Sequence, residues 1–307
     1  MTMTLALTNP EALVTGEDPM TVEAISIDRR SGLDPDEFRR EYYEKGRPVI
    51  LTDASRGWRA HGVITPDWLR KTYGTKKIEV GAQEYALAAL LDLLEAAEPG
   101  QPTPYPCTLD IPELWPELLP LVDPLPLPHA RPNRLTSPLF MGHKFGSRTE
   151  AFFGGRGGNF PYAHTDYYHL NAWITMIFGR KEFWVFATEQ DSYMYPEPPD
   201  NWRSRVTNIF EPDYDKFPLF RNVKPTRFEV GPGETLFIPA GTWHSARSLS
   251  LTMSVAFDQL NAKNMPAFTR DILSYSTLPL SRRIAYAAYF TVLGQVATLL
   301  ERSPLGR

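Results

Sequence analysis

The sequence predicts a mainly β protein, a sandwich or barrel with helices on both sides of it. Between residues 139 and 257, short apolar runs alternate with glycine-containing turns, and many short strands separated in this way are typical of such folds. Beyond residue 262 the pattern becomes helical, with helices expected at about 265–275 and 280–301. With 307 residues and 42% hydrophobic content, the chain is large enough for one barrel with helical additions.

Helices and strands are also predicted before the barrel. Asp34 with Pro35 and Glu37 marks a helix start, because the aspartate caps free amides and proline fits the first turn. Thr65 and Pro66 repeat this signal before a second helix. Further patterns predict three short strands and a third helix, at 24–27, 48–51, 78–80 and 85–97.

Residues 99–138 contain twelve prolines, so they cannot form one long helix or a central strand. A linker between two domains is one interpretation of this segment. Its leucine, tryptophan and tyrosine content instead favours an extended segment that wraps against a core. We therefore expect one domain over residues 23–260, with its barrel at about 139–260, followed by a helical segment at 261–307.

Composition limits the classes of function. Residues 1–22 lack a basic start and a long apolar run, so a disordered lead-in is expected rather than a signal peptide. The single cysteine, Cys107, excludes a disulfide framework within one chain and fits a reducing cytoplasm. The net charge of −4 gives no general attraction to nucleic acid or to an anionic membrane. We expect a cytoplasmic protein that does not bind nucleic acid.

Three residues form a candidate metal site. His164 and Asp166 are separated by one residue near a strand start, and side chains at i and i+2 of an extended chain point to the same face. His244 follows a later strand and turn and is the expected third ligand. Two histidines and one carboxylate on one face of an octahedron suit Fe(II) and leave three positions for a bidentate co-substrate and O₂.

The other histidines are interpreted as structural. His169 lies three residues beyond Asp166, so in a regular strand its side chain points to the opposite face, toward a core or a rim. His61, His129 and His143 lack the spacing of metal ligands. An H-x-D pair alone is common by chance, so the surrounding sequence decides the interpretation.

That surrounding sequence resembles a known family. The turn at 231–234, Gly-Pro-Gly-Glu, feeds a strand that ends at Trp243-His244 and resembles the second cupin motif. Earlier segments resemble the amino-terminal region of the same family: Pro48–Leu51, Trp58 and 68–74. In this order, over roughly residues 24–260, the motifs resemble the cupin-like JmjC hydroxylases, a family that includes the hypoxia-inducible-factor asparaginyl hydroxylase.

The resemblance implies a double-stranded β-helix of the cupin or jelly-roll type, with Fe(II) at its mouth and 2-oxoglutarate as co-substrate. Lys181 stands where the family's Gly-x-Lys lysine stands, and a buried dianion needs such a cation. The further residues expected near the co-substrate are Asn171, Tyr162 and Ser254. The span from Asp166 to Lys181 is two residues longer than in the family, which calls for a bulge or for another anchor. Arg180 and Arg247 are the alternative anchors.

The same resemblance implies a dioxygenase, with 2-oxoglutarate and O₂ as reactants and succinate and CO₂ as products. It would hydroxylate an unactivated C–H bond of a protein side chain, a peptide or a small metabolite. Pro161 and Asp258-Gln259 depart from the family at the pocket, so the substrate is not transferred. A non-catalytic cupin that binds a metal or ligand, and another cupin-fold metalloenzyme, stay open as alternatives.

The apolar stretch Ile284–Leu300 is the last feature of note. It is short for a membrane span and contains Thr291, Gln295 and Thr298. We expect a buried or dimer-forming helix, and thus a homodimer through the C-terminal helices, with no membrane span.

Overall fold

A computed structural model describes residues 27–100, 103–105, 107–136, 149–199, 201–275 and 277–303. The strands are β1 Asp28–Arg30, β2 Val49–Leu51, β3 Lys77–Val80, β4 Gln83–Ala86, β5 Cys107–Asp110, β6 Thr149–Gly154, β7 Tyr162–His164, β8 Asn171–Phe178, β9 Lys181–Phe186, β10 Arg203–Thr207, β11 Thr226–Val230, β12 Thr235–Ile238, β13 Trp243–Ser248 and β14 Thr252–Gln259. The α-helices are α1 Pro35–Phe38, α2 Ala60–Val63, α3 Pro66–Tyr73, α4 Leu87–Glu95, α5 Ile111–Leu114, α6 Met265–Tyr275 and α7 Leu280–Arg302. The expected lead-in at 1–22, most of the strand expected at 24–27, and His143 lie outside the described residues.

The strands form two large sheets and one hairpin. The first sheet has the order β1-β2-β12-β8-β14-β6-β5, the second β10-β7-β13-β9-β11, and β3 pairs with β4. Ile50 and Met176 of the first sheet share one buried cluster with Phe183 and Ala246 of the second. The two inner faces therefore pack on each other, which is the mainly β architecture with flanking helices that the sequence predicts.

Alternation along β14 separates two environments. Ser254, Ala256 and Asp258 line a cavity between the sheets. Met253 and Val255 belong instead to the hydrophobic core on the outer side of the first sheet. Successive side chains of a strand point to opposite faces, so the first sheet separates the outer hydrophobic core from the cavity between the sheets.

The outer core is built from the amino-terminal helices and the proline-rich segment. Phe38 of α1 contacts Trp173 of β8 and Phe237 of β12, with ring centroids 5.3 and 5.0 Å apart. Trp115 of the proline-rich segment is fully buried in the same cluster. The described part of this segment also adds β5 to the sheet, paired with β6. It thus wraps against the core and is not an interdomain linker.

The predicted helix starts have the expected capping bonds. The Asp34 carboxylate accepts from the amides of Asp36 and Glu37, at 2.9 and 3.3 Å. The Thr65 hydroxyl accepts from the Trp68 amide at 3.1 Å. These bonds satisfy amides that have no partner within the helix.

The C-terminal helices pack together and on the barrel. Phe268 of α6 and Phe290 of α7 are in edge-to-face contact, with ring centroids 5.0 Å apart. The opposite side of α7 carries exposed apolar residues: Leu280, Ile284, Val292, Val296, Leu299 and Leu300. By length and composition, residues 280–301 form the one helix of the described chain that could cross a membrane, a test that the core helix of a soluble protein also passes.

Candidate metal centre

The three expected metal ligands come together between β7 and β13. His164 ends β7 and lies directly opposite His244 on β13, with ring centroids 4.3 Å apart. Asp166 follows two residues after His164, and its Oδ1 lies 3.9 Å from Nε2 of His244. One ligand atom from each of the three side chains lies within 4.8 Å of the others. This spacing permits all three to hold a single ion.

Local structure sets the orientation of His244. The preceding turn passes through Gly241, whose φ of +76° is in the left-handed region that glycine adopts without strain. The chain then returns as β13, and Nδ1 of His244 donates to the carbonyl oxygen of Thr242 at 2.9 Å. That bond leaves Nε2 as the atom with a lone pair, directed toward Asp166.

The electrostatics of the site favour metal binding. Burial, together with His244, lowers the pKa of His164 well below its usual range. Neutral imidazole is the form that coordinates a metal. Nδ1 of His164 is buried without a hydrogen-bond partner among the described residues. Burial raises the pKa of Asp166, and the nearby His244 opposes that effect. A divalent cation would offset the burial of this carboxylate, so the donor set fits Fe(II).

A cavity of about 100 Å³ adjoins the three ligands and contains Lys181 at its other end. Lys181 is 3% exposed, and its Nζ donates to Oγ of Ser254 at 3.0 Å. Burial lowers the pKa of Lys181 to about 7. Among the described residues, the groups that act on this ammonium are Ser254, by a hydrogen bond, and Cys107, and no carboxylate is among them. A buried cation facing an open cavity is suited to one end of a dianionic ligand.

The two alternative anchors point away from the cavity. Arg247 is on the outer face of its sheet, where Nε is 2.5 Å from a carboxylate oxygen of Glu182. Arg180 is in the exposed β8–β9 turn, 3.6 Å from Glu229. Of the three cations considered from the sequence, Lys181 is the one that lines the cavity.

The long span between Asp166 and Lys181 contains two irregular features. Residues Tyr167–His169 form a tight turn before β8 begins. Within β8 the register shifts between the pairs Met253–Phe178 and Ser254–Met176, which leaves Ile177 as the extra residue of a bulge. The bulge that the sequence left open is therefore present, and Lys181 reaches the cavity.

Asn171 does not reach the cavity, contrary to the expectation from the sequence. Ala172 and Ile174 of β8 line the cavity, so Asn171 faces the other side of the sheet. Its Oδ1 accepts from the backbone amide of Ala240 at 2.9 Å, and its Nδ2 donates to Gln259 at 3.4 Å. The side chain ties β8 to the turn that precedes His244, which is a structural role.

Tyr162 lies beside the metal ligands and outside the set of residues that line the cavity. Its ring centroid is 6.2 Å from that of His164 and 6.0 Å from that of Trp202. The Arg203 guanidinium lies over the same ring at 5.9 Å. Tyr162 therefore belongs to an aromatic rim beside the ligands, and its contact with the co-substrate stays a prediction.

The remaining histidines among the described residues, His61, His129 and His169, have structural partners. Nε2 of His61 is 2.9 Å from Oγ of Ser55, and Nε2 of His129 is 2.6 Å from the carbonyl oxygen of Leu33. Nδ1 of His169 is 2.5 Å from the Asp271 carboxylate.

Three polar residues that line the cavity were not among the site residues expected from the sequence: Tyr105, Glu150 and Asp258. The Tyr105 hydroxyl is buried without a hydrogen-bond partner among the described residues, and its ring centroid is 6.0 Å from Nζ of Lys181. Burial, Asp166 and Glu150 together raise the pKa of Asp258 well above its usual range. Asp258 could have been found from Ser254, because residues four apart in a strand share a face. Tyr105 lies among prolines that give no such pattern.

Comparison with known proteins identifies the family. The cupin-like domain family matches residues 84–261. The lysine-specific demethylase JMJ30 of Arabidopsis thaliana is 25% identical over 242 residues, which is 75% of this chain and 54% of that protein. Lysine-specific demethylase 8 of Xenopus tropicalis is 32% identical over 108 residues, 35% of this chain and 24% of that protein. Human HSPB1-associated protein 1 is 30% identical over 114 residues, 36% and 23% of the two chains.

The chain belongs to the cupin-like domain family, in its JmjC group, as the sequence resemblance predicts. The expected fold is confirmed at this level, and the expected enzyme class and cofactor pair, a 2-oxoglutarate-dependent oxygenase with Fe(II) and 2-oxoglutarate, are those of the JmjC group. The chain spans about half or less of the length of these curated relatives.

Proposed function

We propose that this chain is a dioxygenase that hydroxylates an unactivated C–H bond of a protein side chain, a peptide or a small metabolite. The observation that carries the proposal is the pairing of a His-Asp-His group with a buried lysine in one cavity. Fe(II) and 2-oxoglutarate, when bound, supply the oxidation of the substrate by O₂ with release of succinate and CO₂.

The residues of the chain have distinct roles in this proposal. His164, Asp166 and His244 hold Fe(II). Lys181 binds the far carboxylate of 2-oxoglutarate, with Ser254 as a hydrogen-bonding neighbour. Among the other lining residues, Phe152, Phe160 and Phe183 make the walls apolar and exclude water, which strengthens the charge interactions of the pocket.

Succinate release tests the proposal. The protein, Fe(II), 2-oxoglutarate and O₂ are incubated with pools of peptides or metabolites, and succinate is quantified with and without a chelator. The expected result is succinate that depends on iron and increases with one pool. A non-catalytic cupin would bind the metal and release no succinate with any pool, and a different cupin-fold metalloenzyme would turn over a substrate without 2-oxoglutarate.

The charge of the pocket bears on the substrate. Asp258 and Glu150 line the cavity together with Asp166, so one part of the wall is acidic. Two of the relatives are named lysine-specific demethylases. We favour a substrate that presents a cationic or hydrogen-bond-donating group to these carboxylates. The screen would contradict this preference if anionic compounds alone increased succinate release.

We also propose that α7 joins two copies of the chain in a cytoplasmic homodimer. Ile284, Val292, Val296 and Leu299 are 54%, 60%, 43% and 71% exposed and recur at helical spacing on one side. This stripe is about 22 Å long at 1.5 Å per residue. A second copy would cover it with the same stripe in a two-fold arrangement.

Light scattering on the full chain tests the dimer. Val292→Glu with Val296→Glu should convert a dimer to a monomer, whereas Leu219→Glu, at an exposed leucine far from α7 in sequence, should not. A monomeric unsubstituted protein would reject the proposal. Partition of that protein into lipid vesicles would identify α7 as a membrane helix instead.

A further inference from the structure

The backbone directly after the ligand Asp166 is held in an unfavourable conformation. Tyr168 and His169 have φ values of 53° and 51°, so two consecutive residues with side chains are in the left-handed region. Such residues are rare outside glycine and persist only where their surroundings impose the conformation. Contacts with other parts of the protein must therefore stabilise this turn.

The C-terminal helix α6 supplies the contacts. Nδ2 of Asn264, just before α6, donates to the carbonyl oxygen of His169 at 2.9 Å. Nδ1 of His169 is 2.5 Å from Oδ2 of Asp271, whose side chain is 8% exposed. The Tyr168 ring packs edge-to-face on Phe268, with centroids 5.8 Å apart. One helix thus contacts both left-handed residues.

The His169 ring also lies against the segment that leads to His244. A Cβ atom added at Gly241 would be 3.4 Å from Cδ2 of His169, which is van der Waals contact. The ring therefore lies between α6 and the turn before His244, with space for about one methyl group between it and Gly241, and its own backbone continues from Asp166. Its Nε2 is 3.4 Å from the Arg270 guanidinium, so Nδ1–H is the donor to Asp271 and Nε2 is the acceptor.

We propose that His169 and Asp271 are positioning residues of the metal centre. The pair fixes the turn after Asp166 against the turn before His244 and so sets the relative position of two metal ligands. The proposal rests on the metal site of the proposed function. It makes the C-terminal helix part of that site, although Asp271 lies outside the matched family region at 84–261.

The affinity for Co(II), measured by calorimetry, and its visible spectrum test the pair without turnover. Partners that orient metal ligands typically change metal affinity by about 10–100-fold when removed. Asp271→Ala should therefore weaken Co(II) binding by about that factor and alter the spectrum. Asp271→Asn should restore most of the affinity, because its amide oxygen still accepts from Nδ1–H. Asp67→Ala removes the same charge from a 96% exposed side chain and should leave Co(II) binding unchanged.

Three results would contradict the positioning role or the proposed function, and each of them points to a different cause. If Asp271→Ala binds Co(II) within about twofold of the unsubstituted chain while Asp166→Ala does not bind it, the positioning role is wrong and the metal site stands. If Asp166→Ala and His244→Ala also bind Co(II) normally, the proposed function fails first. Equal loss of affinity in Asp271→Ala and Asp271→Asn, with the same drop in melting temperature, would show a general structural role and overturn the proposal.

Discussion

The two ends of the cavity differ in their charge and in the polar groups that surround that charge. The Lys181 end has one buried cation with one hydrogen bond, to Ser254, and no carboxylate partner among the described residues. The other end gathers Asp166, Asp258 and Glu150 next to two histidines. A divalent metal neutralises the acidic end, and a dianion neutralises the cationic end. Because its two ends carry opposite charges, the cavity is complementary to a metal and an anionic ligand bound together.

The largest expected effect comes from removing the acidic end's ligands. His164→Ala, Asp166→Ala and His244→Ala should each abolish measurable Fe(II) binding, because two remaining donors cannot complete the three-ligand face. Calorimetry with Fe(II) under anaerobic conditions measures this, and circular dichroism checks that the fold is intact. Full Fe(II) binding in all three variants would show that the metal lies elsewhere.

The cationic end should respond almost as strongly. Lys181→Ala removes one partner of a buried charge pair, a change that costs about 3–5 kcal/mol. The affinity for 2-oxoglutarate should fall by about two to four orders of magnitude, with Fe(II) affinity little changed. Lys181→Arg should retain part of the affinity, because the charge survives with altered geometry. Unchanged 2-oxoglutarate binding in Lys181→Ala would return Arg180 and Arg247 to consideration.

The pH dependence of 2-oxoglutarate binding is a second test of the role of Lys181 at the cationic end of the cavity. Burial lowers the pKa of Lys181 to about 7, and binding of the dianion requires the protonated form. Affinity should be greatest below pH 7 and should fall by about tenfold per pH unit above it. Lys181→Arg should lose this dependence, because arginine stays protonated. A flat profile in the unsubstituted protein would contradict the assignment of Lys181.

A smaller effect is expected at Asp258. Its pKa is raised well above the usual range by burial, Asp166 and Glu150, so the folded state binds its proton more tightly than the unfolded state. Stability from this group is present at low pH and is lost as pH rises through the raised pKa. The metal-free Asp258→Asn protein should therefore melt about 2–4 °C higher than the unsubstituted chain at pH 8.

The control for this prediction is the same pair of proteins at a pH below the usual pKa of an aspartate. There the difference in melting temperature should disappear, because both side chains are then neutral. An Asp258→Asn protein that is less stable than the unsubstituted chain at pH 8 would show that the carboxylate has a stabilising partner.

Much of the barrel could be predicted from local pattern. Short apolar runs between glycine-containing turns predicted the strand-rich region that contains β8, β9 and β14, and the capping signals at Asp34 and Thr65 located helix starts. Strand geometry made His164 and Asp166 a candidate pair, and the surrounding sequence favoured them as ligands. Pairing across the barrel to His244 needed the resemblance, because 80 residues of sequence separation carry no local signal.

The errors have different physical causes. A single residue of shift in a strand moves a side chain to the opposite face. Asn171 was expected near the co-substrate from the family resemblance, but β8 begins after the turn at Tyr167–His169 with Ala172 and Ile174 toward the cavity, so Asn171 faces the other side of the sheet. β5 was missed because the prolines around it hide the strand pattern. The His169–Asp271 contact spans 102 residues and could not be read from either segment.

Whether one cavity holds both the metal and 2-oxoglutarate is tested most directly by an anaerobic titration. In it, 2-oxoglutarate is added to the Fe(II)-loaded full chain and visible absorption is recorded. Chelation of the metal by the 2-oxo acid gives a charge-transfer band. We predict a band that saturates at one 2-oxoglutarate per chain, disappears in His244→Ala, and needs far higher 2-oxoglutarate concentrations in Lys181→Ala. A protein that binds Fe(II) tightly but develops no band at any 2-oxoglutarate concentration would contradict the claim that one cavity holds both.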